Sequence, residues 1–181
     1  MILPTGAHSF KEAMQLGSEV YHSLAKLLKK KFGQSASNVG DEGGFGAPPI
    51  KDENHALEII QEAIKNSGHE GRIQIGLDVA ASEFYDAKTN SYNLSKKTGK
   101  NDRILTPDQL TDHFASLASN YPIVSIEDPF DQDDFASYVK MQAKLGSKFQ
   151  IVGDDLLVTN PKRVKTGIDK KLCNALLLKV N

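Results

Sequence analysis

Ile123-Val124-Ser125-Ile126-Glu127-Asp128-Pro129 is a short apolar run that stops at two acids, and Phe149-Gln150-Ile151-Val152-Gly153-Asp154-Asp155 repeats the arrangement further on. Between them, Phe135 to Leu145 carries apolar residues at helical spacing and meets Gly146, a residue suited to ending a helix. Strand, helix, strand in this order predicts parallel strands joined by a helical crossover. The rhythm extends both ways. Upstream, Ile73-Gln74-Ile75-Gly76-Leu77 ends in Asp78, and Thr106, Pro107 and Gln109 supply an N-cap, a first-turn proline and a box-closing residue for a helix reaching about Ser119. Downstream, Asn160-Pro161 opens a short helix, and Ala175-Leu176-Leu177-Leu178 reads as a fourth strand ending in Lys179.

Two helices precede this pattern. The first has Ser9 and Glu12 at the spacing of a capping box and runs through Val20, Tyr21, Leu24 and Leu28 to Gly33; the second places Leu57, Ile60, Ala63 and Ile64 on one face and stops at Gly68. Gln34 to Ile50 is crowded with Gly and Pro and predicts a long, shaped loop. The polar stretch between Asp78 and Arg103 predicts an excursion with a hairpin around Phe84 to Leu94. The fold class is therefore α/β, a (β/α) barrel or an open doubly wound sheet. No G-x-G-x-x-G turn follows any strand, which weighs against a dinucleotide-binding sheet.

Composition sets outer limits. In 181 residues, 22 Lys+Arg against 23 Asp+Glu leave no basic field for nucleic acid or an anionic membrane. No apolar run approaches the ~20 residues of a membrane span. Cys173 stands alone, so internal disulfides and multi-thiolate zinc sites are excluded, and a reducing, cytoplasmic compartment is expected. The five histidines lack metal-ligand spacing and read as surface residues.

The residue closing each strand carries the chemical information. Asp78, Glu127, Asp154 and Lys179 all fall at carboxyl ends of parallel strands, the face on which barrels build their sites. One acid there reads first as a helix N-cap or a solvated loop charge; three in register with a lysine reverse that reading and supply hard oxygen ligands for magnesium and a base beside them. Adjacent acids in the glycine-rich stretch Asn38-Val39-Gly40-Asp41-Glu42-Gly43-Gly44 offer a further carboxylate for acid-base work.

These segments resemble the enolase family. SASNVGDEGG (Ser35 to Gly44), IGLD (Ile75 to Asp78), Ser82-Glu83-Phe84, YPIVSIEDPF (Tyr121 to Phe130), IVGDDLLVTNPKR (Ile151 to Arg163) and ALLLKVN (Ala175 to Asn181) occur in family order. The resemblance implies a partial (β/α)8 barrel of enolase type. It implies magnesium-dependent, reversible dehydration of 2-phosphoglycerate to phosphoenolpyruvate by a cytoplasmic glycolytic hydro-lyase, homodimeric at full length. Asp78, Glu127 and Asp154 match the magnesium ligands, Lys179 the base at C2, and Glu42 an acid assisting loss of the C3 hydroxyl. Asp155 matches an acid beside the ligand Asp154.

To act as base Lys179 must be neutral, which calls for nearby cations and partial burial to lower its pKa. The resemblance also implies that the N-terminal domain, the last part of the barrel and several catalytic groups lie outside these residues. The segment alone is then expected to be inactive and weakly stable, its strand edges uncovered. One departure stands out: Gly46 intervenes between Phe45 and Ala47-Pro48, where the family runs directly from Phe to Ala-Pro. Two rivals are another member of the wider superfamily, whose base commonly sits in a Lys-x-Lys on an earlier strand, and a non-catalytic enolase-fold binding protein, for example of plasminogen.

Overall fold

The computed structural model describes residues 1–46 and 49–180. They form two compact units, one of Ile2–Gln74 and one of Met1 with Ile75–Asn181.

In the first unit, strand β1 (Ile2–Leu3) precedes helices α1 (Phe10–Phe32) and α2 (Glu53–Asn66). The predicted box at α1 forms only in half. Ser9 Oγ accepts from Glu12 N, but the Glu12 carboxylate accepts from His8 N at 2.7 Å and pairs with Arg72. Gly33 ends α1 at φ +91°, a left-handed conformation open to glycine at little cost. Leu27 and Leu28 of α1 pack with Ile59 and Ala63 of α2 and with Ala36, while Leu16 and Val20 pack with Ile64 and Ile73.

The predicted loop is shaped by hydrogen bonds. Gln34–Ser37 forms a 3-10 turn, Val39 and Phe45 form an antiparallel bridge, Gly40 N donates to Gly44 O, and Gly46 N donates to Asn38 O. Phe45 stacks on Tyr21 at 4.7 Å between ring centroids, and Tyr21 OH donates to Gly43 O. Gly46 therefore sits at the foot of the hairpin, outside the turn that carries Glu42. Ala47 and Pro48, the other half of the departure from the family pattern, lie outside the described residues, as does Asn181.

In the second unit, strands β2 (Gln74–Asp78), β6 (Ile123–Glu127), β7 (Gln150–Gly153) and β8 (Ala175–Leu176) lie side by side in that order and are parallel. Helices α3 (Pro107–Asn120), α4 (Phe135–Leu145) and α5 (Pro161–Lys170) follow the rhythm read in the sequence. The full capping box at Thr106 and Gln109 is present, and Asn160 caps α5. Ile75, Ile126 and Ile151 are buried along the sheet, with Leu110 of α3 and Tyr138 and Met141 of α4. The excursion after β2 is a small antiparallel sheet of β3 (Tyr85–Asp86), β4 (Ser91–Asn93) and β5 (Ile104–Leu105).

The fourth strand is shorter than predicted. Ladder pairing with β7 ends at Gly153 and Leu176, Leu177 N still reaches Gly153 O, and β7 then turns away into residues 154–159. Leu177 and Leu178 therefore have no ladder to join on that side, and Lys179 stands past the strand. Among the described residues, no helix is long and apolar enough to cross a membrane.

Candidate active site

Register brings the strand-closing residues together. Asp78 is the pairing partner of Glu127, and Glu127 of Val152, so the acids at the ends of β2 and β6 are neighbours. Asp154 and Lys179 both lie just past the last paired residues of the adjacent strands β7 and β8, Gly153 and Leu176. The outcome is a direct contact: Lys179 Nζ donates to Asp154 Oδ2 at 2.7 Å.

Carboxylate oxygens of Glu127, Asp128 and Asp154 lie within 4.8 Å of one another. Asp78 is not in that group but is close enough to act electrostatically on Glu127. Burial, and then the charges of Asp78, Asp128 and Asp154, push the Glu127 carboxyl up to about 7. Such crowding of anions around a buried carboxyl suits a divalent cation. The oxygen donors are of the hard kind that magnesium, calcium or manganese prefer.

Asp128 is the residue that sequence reading missed as a site element. It is 2% exposed, and its two oxygens accept from the main-chain N–H groups of Asp154 (3.1 Å), Asp155 (2.7 Å) and Leu156 (3.3 Å). Tyr138 OH approaches Oδ1 at 3.4 Å. With its lone pairs so engaged, Asp128 is a poor cation ligand, whereas Glu127 and Asp154 keep oxygens for one. Its presence in the acid pair Glu127-Asp128 was visible in the sequence; that its side chain turns to the next loop was not.

Lys179 departs from expectation. Its side chain is 57% exposed rather than partly buried. Its ammonium is held above the usual lysine range, first by the hydrogen bond to Asp154 and then by the charges of Asp154, Asp155 and Glu127. Burial lowers it by less than that hydrogen bond raises it, so of the effects expected to lower this pKa a cation at the carboxylates is the one left to do so. Asp155 is exposed, its N–H on Asp128. Glu42 is exposed on the turn of the glycine loop and belongs to the first unit.

The loop after β6 is tied on several sides. Tyr92 OH donates to Asp134 Oδ2 at 2.8 Å and accepts from Asp131 N at 2.9 Å; Gln132 N donates to Ser82 Oγ. Arg163 donates to Leu156 O at 2.6 Å and to Asp133 Oδ1 at 3.0 Å, joining the loops after β6 and β7.

Comparison with known proteins identifies the family. The family model described as "Enolase, C-terminal TIM barrel domain" matches residues 1–181. The chain is 58% identical over 183 aligned residues to the enolase of Eimeria tenella and to that of Solanum lycopersicum, and 56% identical over 182 to enolase 2 of Hevea brasiliensis. Each alignment covers 100% of the chain and 41% of the relative's length. With strands in parallel order, an acid closing or directly following three of them and a match from end to end, the chain belongs to the enolase family, as a segment of its C-terminal TIM barrel domain.

Proposed function

We propose that the protein carrying this chain is a phosphopyruvate hydratase, a magnesium-dependent lyase of glycolysis that interconverts 2-phosphoglycerate and phosphoenolpyruvate. The observation that carries the reading is the meeting of Lys179 with Asp154 beside buried Glu127, at the carboxyl ends of adjacent parallel strands. The chain spans 41% of the length of its relatives, so the reading assigns it the middle of a longer enzyme, with an N-terminal domain and further barrel units beyond it. In line with the family, we extend the reading to a cytoplasmic homodimer.

Asp78, Glu127 and Asp154 are the residues that would hold the cation. Bound there, it would offset the charge that develops on the substrate carboxylate when C2 loses its proton, and the anionic field that now keeps Lys179 protonated. Lys179 Nζ, freed of its proton, accepts the C2 proton. Asp154 orients the amine through the contact they share. Asp155, alongside, adds negative charge without touching the cation. Glu42 assists departure of the C3 hydroxyl as the proton-delivering group, because hydroxide leaves poorly on its own.

The test is formation of phosphoenolpyruvate from 2-phosphoglycerate by the full reading frame, with magnesium and after its removal by chelation. Metal-dependent turnover supports the reading. An intact frame that binds its ligands but turns nothing over would favour the binding-protein alternative.

A further inference from the structure

Asp128 and Thr159 hold the same turn from its two ends. Residues 154–158 coil as a single helical turn, with Leu157 N and Val158 N both donating to Asp154 O. The first N–H groups of any such turn lack partners of their own. Here the carboxylate of Asp128, 26 residues earlier than Asp154 in sequence, accepts from the N–H groups of 154, 155 and 156, as a capping residue would, but from the loop after β6.

The turn closes with Val158 and Thr159 both at positive φ, +43° and +54°, an arrangement that β-branched residues adopt only when their surroundings impose it. Thr159 Oγ1 then accepts from Lys179 N at 3.0 Å. One turn thus presents Asp154 at its start and fixes the main chain of Lys179 at its end. Asp128 is itself at φ +41°, which turns the chain after Glu127. Its main-chain N–H still reaches Val152 O, and its carbonyl still accepts from Ala81 N.

We propose that Asp128 is a positioning residue: by capping the turn 154–159 it fixes Asp154 directly and Lys179 through Thr159, so that metal ligand and base arrive at one point. The adjacent acids Glu127 and Asp128 thereby divide the labour, the first facing the site and the second building the loop opposite. The inference rests on the reading of Asp154 as a cation ligand and Lys179 as base.

Its test uses the full reading frame with Asp128→Asn, which keeps one acceptor oxygen but turns an amide N–H toward at least one of the main-chain N–H groups that Asp128 now accepts from. The first readout needs neither metal nor activity: hydrogen exchange of the segment 154–159 in chelated protein. Exchange there is expected to rise about tenfold or more. The second is Mn2+ affinity by titration calorimetry, expected to weaken about 10- to 100-fold, as when an outer partner of a metal ligand is lost.

Leu110→Ala, a cavity in the buried packing of α3, controls for lost stability and should leave both readouts near the parent's. Thr159→Val probes the other end and should lower kcat with little change in KM or Mn2+ affinity. Unchanged exchange in Asp128→Asn, or equal Mn2+ weakening in Leu110→Ala, would overturn the proposal. A parent protein that forms no phosphoenolpyruvate would overturn the functional reading instead, with the exchange experiment still deciding what Asp128 does.

Discussion

Lys179 Nζ lies 2.7 Å from Asp154 Oδ2, and the two residues stand just past the ends of the adjacent parallel strands β8 and β7. A cation and an anion in contact stabilise each other, and this contact keeps the amine protonated. On the proposed reading the pair is a resting arrangement, and Lys179 acts as a base only once a cation at the carboxylates changes its electrostatic balance.

Cation binding should stabilise the full-length protein by relieving repulsion among Asp78, Glu127, Asp128 and Asp154. At a magnesium concentration of 100 times Kd, linkage sets the gain at about 2.7 kcal/mol. Glu127→Gln removes a proposed ligand and one repelling charge, so its metal-free melting temperature should equal or exceed the parent's while the magnesium increment shrinks. Thermal melts with and without magnesium check this; an undiminished increment in the variant contradicts it.

Gly153 closes β7 just before Asp154. A Cβ there would meet Leu157 Cγ at 2.9 Å and Leu156 Cδ2 at 3.2 Å, both buried side chains of the turn that Asp128 caps. Gly153→Ala should cost about 1–3 kcal/mol in denaturant unfolding as those leucines are displaced. A variant as stable as the parent would show that the turn can move freely, contrary to the packing described.

Tyr92 is fully buried, and its hydroxyl serves both Asp131 N and the helix-capping Asp134. Burial holds its proton well above the ordinary phenol range, so it remains a donor throughout the physiological range. Tyr92→Phe leaves a partly buried N–H and a cap carboxylate short of a partner and should lower unfolding stability by about 1–3 kcal/mol. Chemical denaturation measures it, and a neutral substitution would argue that water replaces the hydroxyl.

Much of this was legible in the sequence because it is local. Thr106, Pro107 and Gln109 specify the start of α3 among themselves, Gly33 and Gly146 stop their helices where expected, and apolar runs ending in acids set the parallel order. What was hidden depends on partners distant in sequence. The second half of the Ser9 box was lost because Arg72, 60 residues away, pairs with Glu12. The fourth strand ends early because β7 turns away at Gly153. Asp128 reads as one more acid after a strand, and only its left-handed backbone and the loop after β7 reveal what its carboxylate does. The exposure of Lys179 likewise depends on what surrounds it, which its own neighbours in sequence do not state.

If Lys179 takes the C2 proton, exchange of that proton with solvent depends on it. The full reading frame and Lys179→Ala are incubated in D2O with 2-phosphoglycerate and magnesium, and deuterium at C2 is read by NMR beside phosphoenolpyruvate formation. The parent should do both and the variant should lose exchange and turnover together, by about 100- to 10,000-fold, with Mn2+ affinity retained. Exchange at C2 persisting at the parent's rate in Lys179→Ala would contradict this role and assign the base elsewhere.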